Sequence, residues 1–296
     1  MKRWFSFFVW TVSLLLLYFS AGFAQPHSYP ASGVVLKVDA AHHTIMVSCN
    51  PIPGFMDAMA MPLAVADAKE LTVLHPGTMI DFTLVPDAKM SRAESIHIHT
   101  YQGMEPDPLA ANRLKLLTHA VHGSPIKPVG LGQTVPDFTL IGQDGQPVTL
   151  SDFRGKIVAL DFVYTRCALP NFCARSSGNF ASLQKRFHSY LAKDLVLLTI
   201  TFDPVHDSPE TLEKYATMWH AEPSAWHFLT GSEADIRRVC DLFGEDYFPD
   251  EGLMDHSLHT AIIDHSGRLV ANMEGNEFTP TQLGDLVETA LSTTTH

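Results

Sequence analysis

Ile157-Val158-Ala159-Leu160-Asp161-Phe162-Val163-Tyr164-Thr165-Arg166-Cys167-Ala168-Leu169-Pro170-Asn171-Phe172-Cys173 decides how the carboxy-terminal half of this chain is read. The apolar run up to Tyr164 has the unbroken hydrophobicity of a strand buried on both faces. After the second cysteine, Phe180, Leu183, Phe187 and Leu191 recur at helical spacing, so 176–191 reads as a helix. A strand therefore runs into a helix across a loop that holds two thiols. An extended segment would hold these thiols about 20 Å apart. On one helix they would lie about 9 Å apart along the axis, on nearly opposite faces. A shared metal or a disulfide needs Cα atoms near 5.5 Å, so the segment must turn back, and Pro170-Asn171 suits that.

Further along, Met254-Asp255-His256-Ser257-Leu258-His259 precedes another strand-like run, Thr260 to Asp264. Two thiols at a strand mouth with an imidazole from a distant loop make either a soft-metal site or a dithiol redox site. His256 is the natural third donor, with His259 and His265 as rivals by position. Two sulfurs and one nitrogen suit Cu(I). A helix start and Arg166 beside the thiols are expected to lower their pKa values. Cys240 falls in a helical pattern (Ala234 to Phe243) and reads as buried and inert.

Around this core the pattern is α/β. Pro136 to Leu140 and Pro147 to Leu150 flank the turn Gln143-Asp144-Gly145-Gln146. Leu195 to Thr201 is a second buried-strand run, and Ser208-Pro209 opens a helix with a cap and a first-turn proline. Thr260–Ile263 and Leu269–Met273 form a hairpin, and Thr279-Pro280 opens a closing helix that runs to Leu291. Alternating strands and helices imply a partly parallel central sheet covered on both faces.

The amino-terminal part differs. Val34–Val38, His43–Ser48, Glu70–Val73, Met79–Leu84 and Ala93–His99 read as five short strands of a small all-β barrel. Within it, Met59 and Met61 are two apart and share a strand face. With Met56 and Cys49 they offer a soft Cu(I) or Ag(I) site. The competing reading is thioethers filling an irregular core. His97 and His99 share a strand face and read as a solvated edge. Between the halves, 104–128 reads as a linker with one helix (Leu109–His122), bounded by Glu105-Pro106-Asp107-Pro108 and Gly123-Ser124-Pro125. A flexible tether of that length spans roughly 28 Å and gives effective concentrations around millimolar.

Lys2-Arg3, the apolar Trp4–Phe19 and Gly22-Phe23-Ala24 form an export signal, 1–24. The apolar run is shorter than the roughly 20 residues of a membrane span, which favours cleavage; an uncleaved signal would tether the chain to a membrane. Four cysteines are too few for a disulfide scaffold. A net charge of −12 argues against nucleic acid as a partner.

The span from Pro136 to Leu291 resembles the Sco/SenC family of thioredoxin-fold copper proteins of cytochrome c oxidase assembly. The landmarks are Pro136-Asp137-Phe138, Phe162 to Cys167, Asp203 to Glu210, and Asp255-His256-Ser257. The resemblance implies a thioredoxin-like domain over 129–292, with Cys167, Cys173 and His256 as copper ligands and Asp203 as an acidic neighbour. Five residues separate the cysteines here, with Ala168 and Ala174 where the usual shorter family motif has prolines. Gly33 to His99 resembles the CusF-like periplasmic copper-binding domain, an OB-like barrel assigned to 33–103, on Pro51-Ile52 followed by Met59-Ala60-Met61. That resemblance implies Met59 and Met61 as ligands, Cys49 in place of a histidine, and Phe55 or Met56 as the cap. The implied function is an exported, periplasmic protein that captures copper, as Cu(I) or Cu(II), and delivers it to a copper-centre apo-protein such as a cytochrome c oxidase subunit. A thiol–disulfide oxidoreductase using Cys167 and Cys173, served by a thiol reductase, and a copper-sequestering resistance protein remain alternatives.

Overall fold

The computed structural model describes residues 27–99, 110–123, 126–250 and 252–293. The export signal, the Glu105–Pro108 break and Ser124-Pro125 lie outside them. Among the described residues no helix is long and apolar enough to cross a membrane.

β1 (Tyr29–Asp39), β2 (Thr44–Cys49), β3 (Met59–Val65), β4 (Met79–Val85) and β5 (Arg92–Ile98) close into a barrel of order β1-β2-β3-β5-β4. Val35, Ile45, Val47, Leu63, Ile80, Phe82 and Leu84 fill it. The expected strand Glu70–Val73 is instead a helical turn, α1 (Ala68–Leu71). Asp67 caps it by accepting from the Lys69 N–H at 2.9 Å, and this local bond outcompetes a ladder. The strand place is taken by β3, which pairs antiparallel with β2 and parallel with β5.

After α2 (Ala110–His122) comes the second domain: β6 (Thr139–Gly142), β7 (Pro147–Thr149), β8 (Ile157–Val163), α3 (Cys173–Arg186), β9 (Leu195–Thr201), α4 (Pro209–Met218), β10 (Trp226–Thr230), α5 (Glu233–Phe243), β11 (Tyr247–Asp250), β12 (Leu253–His256), β13 (His259–Ile263), β14 (Leu269–Glu274) and α6 (Pro280–Ser292). Seven strands form one sheet, β14-β13-β8-β9-β10-β6-β7, with β8, β9 and β10 parallel. β8 and β9 are buried at every position, as their apolar runs require. Val158, Leu160 and Phe162 face one core, and Ile157 and Ala159 face the other. Ser208 and Thr279 cap α4 and α6 with a proline in the first turn, as read from the sequence. β11 and β12 form a separate two-stranded hairpin.

The linker differs from a free tether. Val34 and Leu36, on the outer wall of the barrel, share an apolar core with Phe278, Leu283 and Leu286 of the second domain. Ser48 Oγ donates to Asp285 at 2.6 Å, and Gln282 Nε2 donates to Ser48 O and Asn50 Oδ1, both at 3.1 Å. Thr118 of α2 is buried and donates to the Tyr247 carbonyl at 3.1 Å. The barrel is therefore docked, because burying two aliphatic side chains contributes about 1.5–3 kcal/mol each.

One docking bond is pH-sensitive. His99 stands 3.1 Å from Asp81 and 2.6 Å, through Nε2, from Glu277 of the second domain. The Asp81 hydrogen bond, opposed by partial burial and aided by Glu277, raises its pKa. A raised imidazole pKa contributes stability that is complete below the unfolded value near 6.5 and lost as pH rises through the folded value. Solvent exposure keeps this pair below about 1 kcal/mol. Protection factors for hydrogen exchange at the barrel–α6 junction, corrected for the intrinsic rate, are expected to fall modestly above neutral pH, and His99→Ala is expected to remove that fall.

Candidate metal centre

The end of β8 is pinned before the thiol loop begins. Buried Asp207 accepts from the Thr165 N–H at 3.0 Å, from Thr165 Oγ1 at 2.5 Å and from Thr201 Oγ1 at 2.6 Å. The loop then folds back on itself: the Cys167 N–H bonds the Tyr164 carbonyl at 3.3 Å and the Phe172 N–H bonds Leu169 at 3.1 Å. Asn276, before α6, donates to the Asn171 carbonyl and holds the far side. Cys173 opens α3 and is buried; Cys167 is half-buried. The turn demanded by the spacing is present, and Cys167 packs on the same apolar core as Cys173, both as free cysteines.

His256 closes β12, opposite Tyr247 of β11. Its ring lies among three aromatic rings, with centroids 4.6 Å from Phe202, 5.8 Å from Tyr164 and 6.2 Å from Phe172. Nδ1 is 2.5 Å from the Ser257 carbonyl and 3.6 Å from Glu245 Oε1. Nδ1 is thus engaged by the Ser257 carbonyl, and Cys167 is near enough to raise the imidazole's pKa. The rivals lie elsewhere: His259 bonds Asn272 at 3.2 Å, and His265 sits in the β13–β14 turn.

Cys167 packs on the apolar core that holds Cys173, and both Cys173 and His256 influence its ionisation. Among the described residues, however, no three His, Cys, Asp or Glu side chains stand in ready-made metal-binding geometry. The three donors are neighbours; the triad is not closed.

Charge is divided unequally across the pair. The Cys173 hydrogen bond, working against burial and joined by His256, holds Cys167 well below the ordinary thiol range. Cys173 goes up, because of the neighbouring Cys167 sulfur and its own burial. The expectation that both thiols are acidified is corrected on two counts. Cys173 moves the other way despite opening a helix. Arg166 is not the cause for Cys167, since its guanidinium is turned onto Asp203 Oδ2 (Nη2 at 2.7 Å, Nε at 3.1 Å). Arg166 Nη1 also reaches the Gly252 carbonyl at 3.0 Å, so this residue ties the thiol loop to the hairpin that carries His256. Burial pulls the His256 imidazole down, but Cys167 and Glu245 outweigh it and lift the ring to about 9. A cavity of about 320 Å³ adjoins the site, lined by Arg166, Phe202, Asp203, Tyr247, Leu253 and Met254.

Sequence reasoning did not find Glu245, Phe202, Tyr164 or Phe172 as neighbours of the imidazole. Glu245 follows the left-handed cap Gly244 of α5 and is fully buried; in sequence it resembles a surface loop acid. Asp161, in β8, is also buried, bonded to Thr199 at 2.6 Å, and burial raises it to about 7. Cys240 is buried within α5, in the same apolar core cluster as Cys173.

In the barrel, β2–β3 pairing sets Cys49 opposite Met59 and Val47 opposite Met61. Paired residues share a face, and Val47 and Cys49 face the interior. Met59 is 51% exposed at the barrel mouth, while Met61 and Met56 pack partly on the barrel core. Burial raises the Cys49 thiol to about 12. Phe55 lies flat on Tyr29, centroids 4.0 Å apart.

With this geometry, comparison with known proteins gives a family. Residues 128–292, more than half of the chain, match the family model described as SCO1/SenC. The chain belongs to the SCO1/SenC family. Ahead of the SCO1/SenC domain, residues 28–98 match the model described as copper binding periplasmic protein CusF. This SCO1/SenC chain is similar to the SCO1 protein homolog of Bacillus subtilis (28% identity, covering 58% of this chain and 89% of that one). It is also similar to a SCO2-like protein of Rickettsia prowazekii (30% identity, 44% of this chain), of whose length it spans 64%. Among solved structures, it resembles a SCO1/SenC family lipoprotein of Bacillus anthracis (28% identity, TM-score 0.48, 56% of this chain and 97% of that one). The carboxy-terminal fold is the thioredoxin-like one expected, joined to a small all-β domain.

Proposed function

We propose that this is an exported copper-carrying protein that holds copper on Cys167, Cys173 and His256 and passes it to the apo-protein of a cytochrome c oxidase-type copper centre. The observation that carries the reading is that Cys167 packs on the core holding Cys173 and is influenced by both that thiol and the His256 imidazole, whose ring is walled by Tyr164 and Phe202. Copper fits this donor set: soft thiolates and a single imidazole select it over harder ions. Loading requires loss of the Cys173 proton and a small swing of the side chains, since the three donors are neighbours rather than a closed triad. The half-exposed sulfur of Cys167 leaves the metal reachable by an acceptor.

The barrel supplies a second copper site at Met59 and Met61, with Cys49 and Met56 beside them. Its docking supports direct relay. Ser48 and Asn50, which flank Cys49, bond Asp285 and Gln282, while Asn276 bonds Asn171 of the thiol loop. Residues 276–285 therefore contact both neighbourhoods, and short-range movement replaces the long tether. The periplasmic family described for the barrel's relatives and the amino-terminal signal support export.

One observation favours a second reading, thiol–disulfide exchange: the pair divides into a part-exposed cysteine whose pKa is lowered and a buried one whose pKa is raised, the asymmetry of an attacking and a resolving cysteine. Anaerobic Cu(I) titration separates them. The wild type is expected to take up one equivalent per site, Cys167→Ser/Cys173→Ser to keep only the barrel site, and Met59→Leu/Met61→Leu to keep only the thiol site. A wild type that binds no copper but turns over a disulfide substrate reverses the assignment.

A further inference from the structure

Glu245 is among the most completely buried residues of the second domain, with 0% exposure, and both of its carboxylate oxygens lack a hydrogen-bond partner. It is not placed there by chance of a loose loop. Gly244 turns the chain in the left-handed conformation at the end of α5, and Arg237 donates to the Glu245 backbone carbonyl at 3.1 Å. That same guanidinium is spent on Asp241 rather than on the Glu245 side chain. A buried carboxylate is costly to keep ionised, and burial raises the Glu245 pKa, while the His256 and His259 imidazoles oppose that rise. The back of the His256 ring faces the carboxylate, with Nδ1 3.6 Å away.

The Ser257 carbonyl already accepts from Nδ1 at 2.5 Å and so fixes the ring's orientation without help. Glu245 is not needed for the tautomer; what it adds is charge, one residue removed from the ligands.

We propose that Glu245 is a positioning residue that acts on bound copper through His256, its buried negative charge favouring Cu(II) over Cu(I) at the thiol site. The inference rests on the copper reading above. A loaded centre with two thiolates and a neutral imidazole already carries excess negative charge beside Cu(I). A further carboxylate in a low-dielectric pocket is better matched by the divalent ion. Carboxylates behind a ligating imidazole also raise its basicity, which strengthens binding of the harder oxidation state.

The test uses full-length protein in the Met59→Leu/Met61→Leu background, so that only the thiol site reports. Glu245→Gln keeps the shape and removes the charge; Glu245→Met removes both charge and polarity and serves if the amide disturbs folding. Cu(II) affinity, the thiolate-to-copper charge-transfer band and the copper EPR signal are read beside Cu(I) affinity from chelator competition. Outer partners of ligating histidines change affinity about 10–100-fold. The expected result is a Cu(II) loss in that range, a Cu(I) loss at least tenfold smaller, a shifted band, and partial restoration by Glu245→Asp. Equal losses for the two ions, or none, overturn the assignment of charge to Glu245 while leaving the site intact. Failure of the background protein itself to bind copper is a separate result and overturns the parent reading instead.

Discussion

Cys167→Ser is expected to abolish tight copper binding at the thiol site, a loss exceeding the roughly 100-fold that removal of an outer partner costs. The size follows from the position of Cys167. Cys167 interacts with both other donors, so its removal leaves Cys173 and His256 without that common neighbour. The hydroxyl that replaces it is a hard, neutral oxygen, poorly matched to Cu(I). Folding should survive, since the position is half-exposed and its sulfur makes no close backbone contact beyond 3.8 Å to the Leu169 carbonyl. Chelator competition for Cu(I) in the Met59→Leu/Met61→Leu background measures it. Retained affinity would move the centre elsewhere.

Cys173→Ala should lower the reactivity of its neighbour about tenfold at low pH. The Cys173 thiol is the largest influence holding Cys167 in the thiolate form, ahead of His256 and against burial. A thiol whose pKa is depressed stays ionised as pH falls, so alkylation of the wild type should remain nearly flat down to about pH 5. In the variant the pKa moves toward the ordinary value near 8.5, and the rate falls about tenfold per pH unit below it. Depressed thiolates are intrinsically weaker nucleophiles, which offsets part of the gain; an advantage of about tenfold for the wild type at pH 5 remains. Iodoacetamide kinetics with mass mapping of Cys167 provide the profile. Identical profiles would mean that the thiol–thiol bond does not set the charge.

The parts of this architecture legible in the sequence are those written locally. The run Ile157–Val163 is apolar at every position because both faces of β8 are covered, and no other element fits that pattern within its length. Ser208-Pro209 and Thr279-Pro280 mark helix starts because cap and proline act within one turn. The spacing of Cys167 and Cys173 demanded a reversal, and the alternation of Met59 and Met61 demanded a shared face. What escaped depends on distant partners. β10 and the β11–β12 hairpin are four or five residues each, too short for periodicity to declare. Glu70–Val73 has strand-like composition, yet a capped turn forms because Asp67 satisfies its amides. Arg166 looked like a thiol activator because its partner, Asp203, is remote in sequence. Docking of the barrel had one local sign: Val34, Val35 and Leu36 are buried in succession, whereas a strand with a wet outer face alternates.

The central claim is that the two sulfurs flanking the Pro170-Asn171 turn and the His256 ring share one copper ion. X-ray absorption on the Met59→Leu/Met61→Leu protein loaded with a single equivalent of Cu(I) tests it most directly. The account predicts a shell of two sulfurs and one imidazole nitrogen, with the nitrogen contribution lost in His256→Ala. A shell with one sulfur, or one unchanged by His256→Ala, would contradict it.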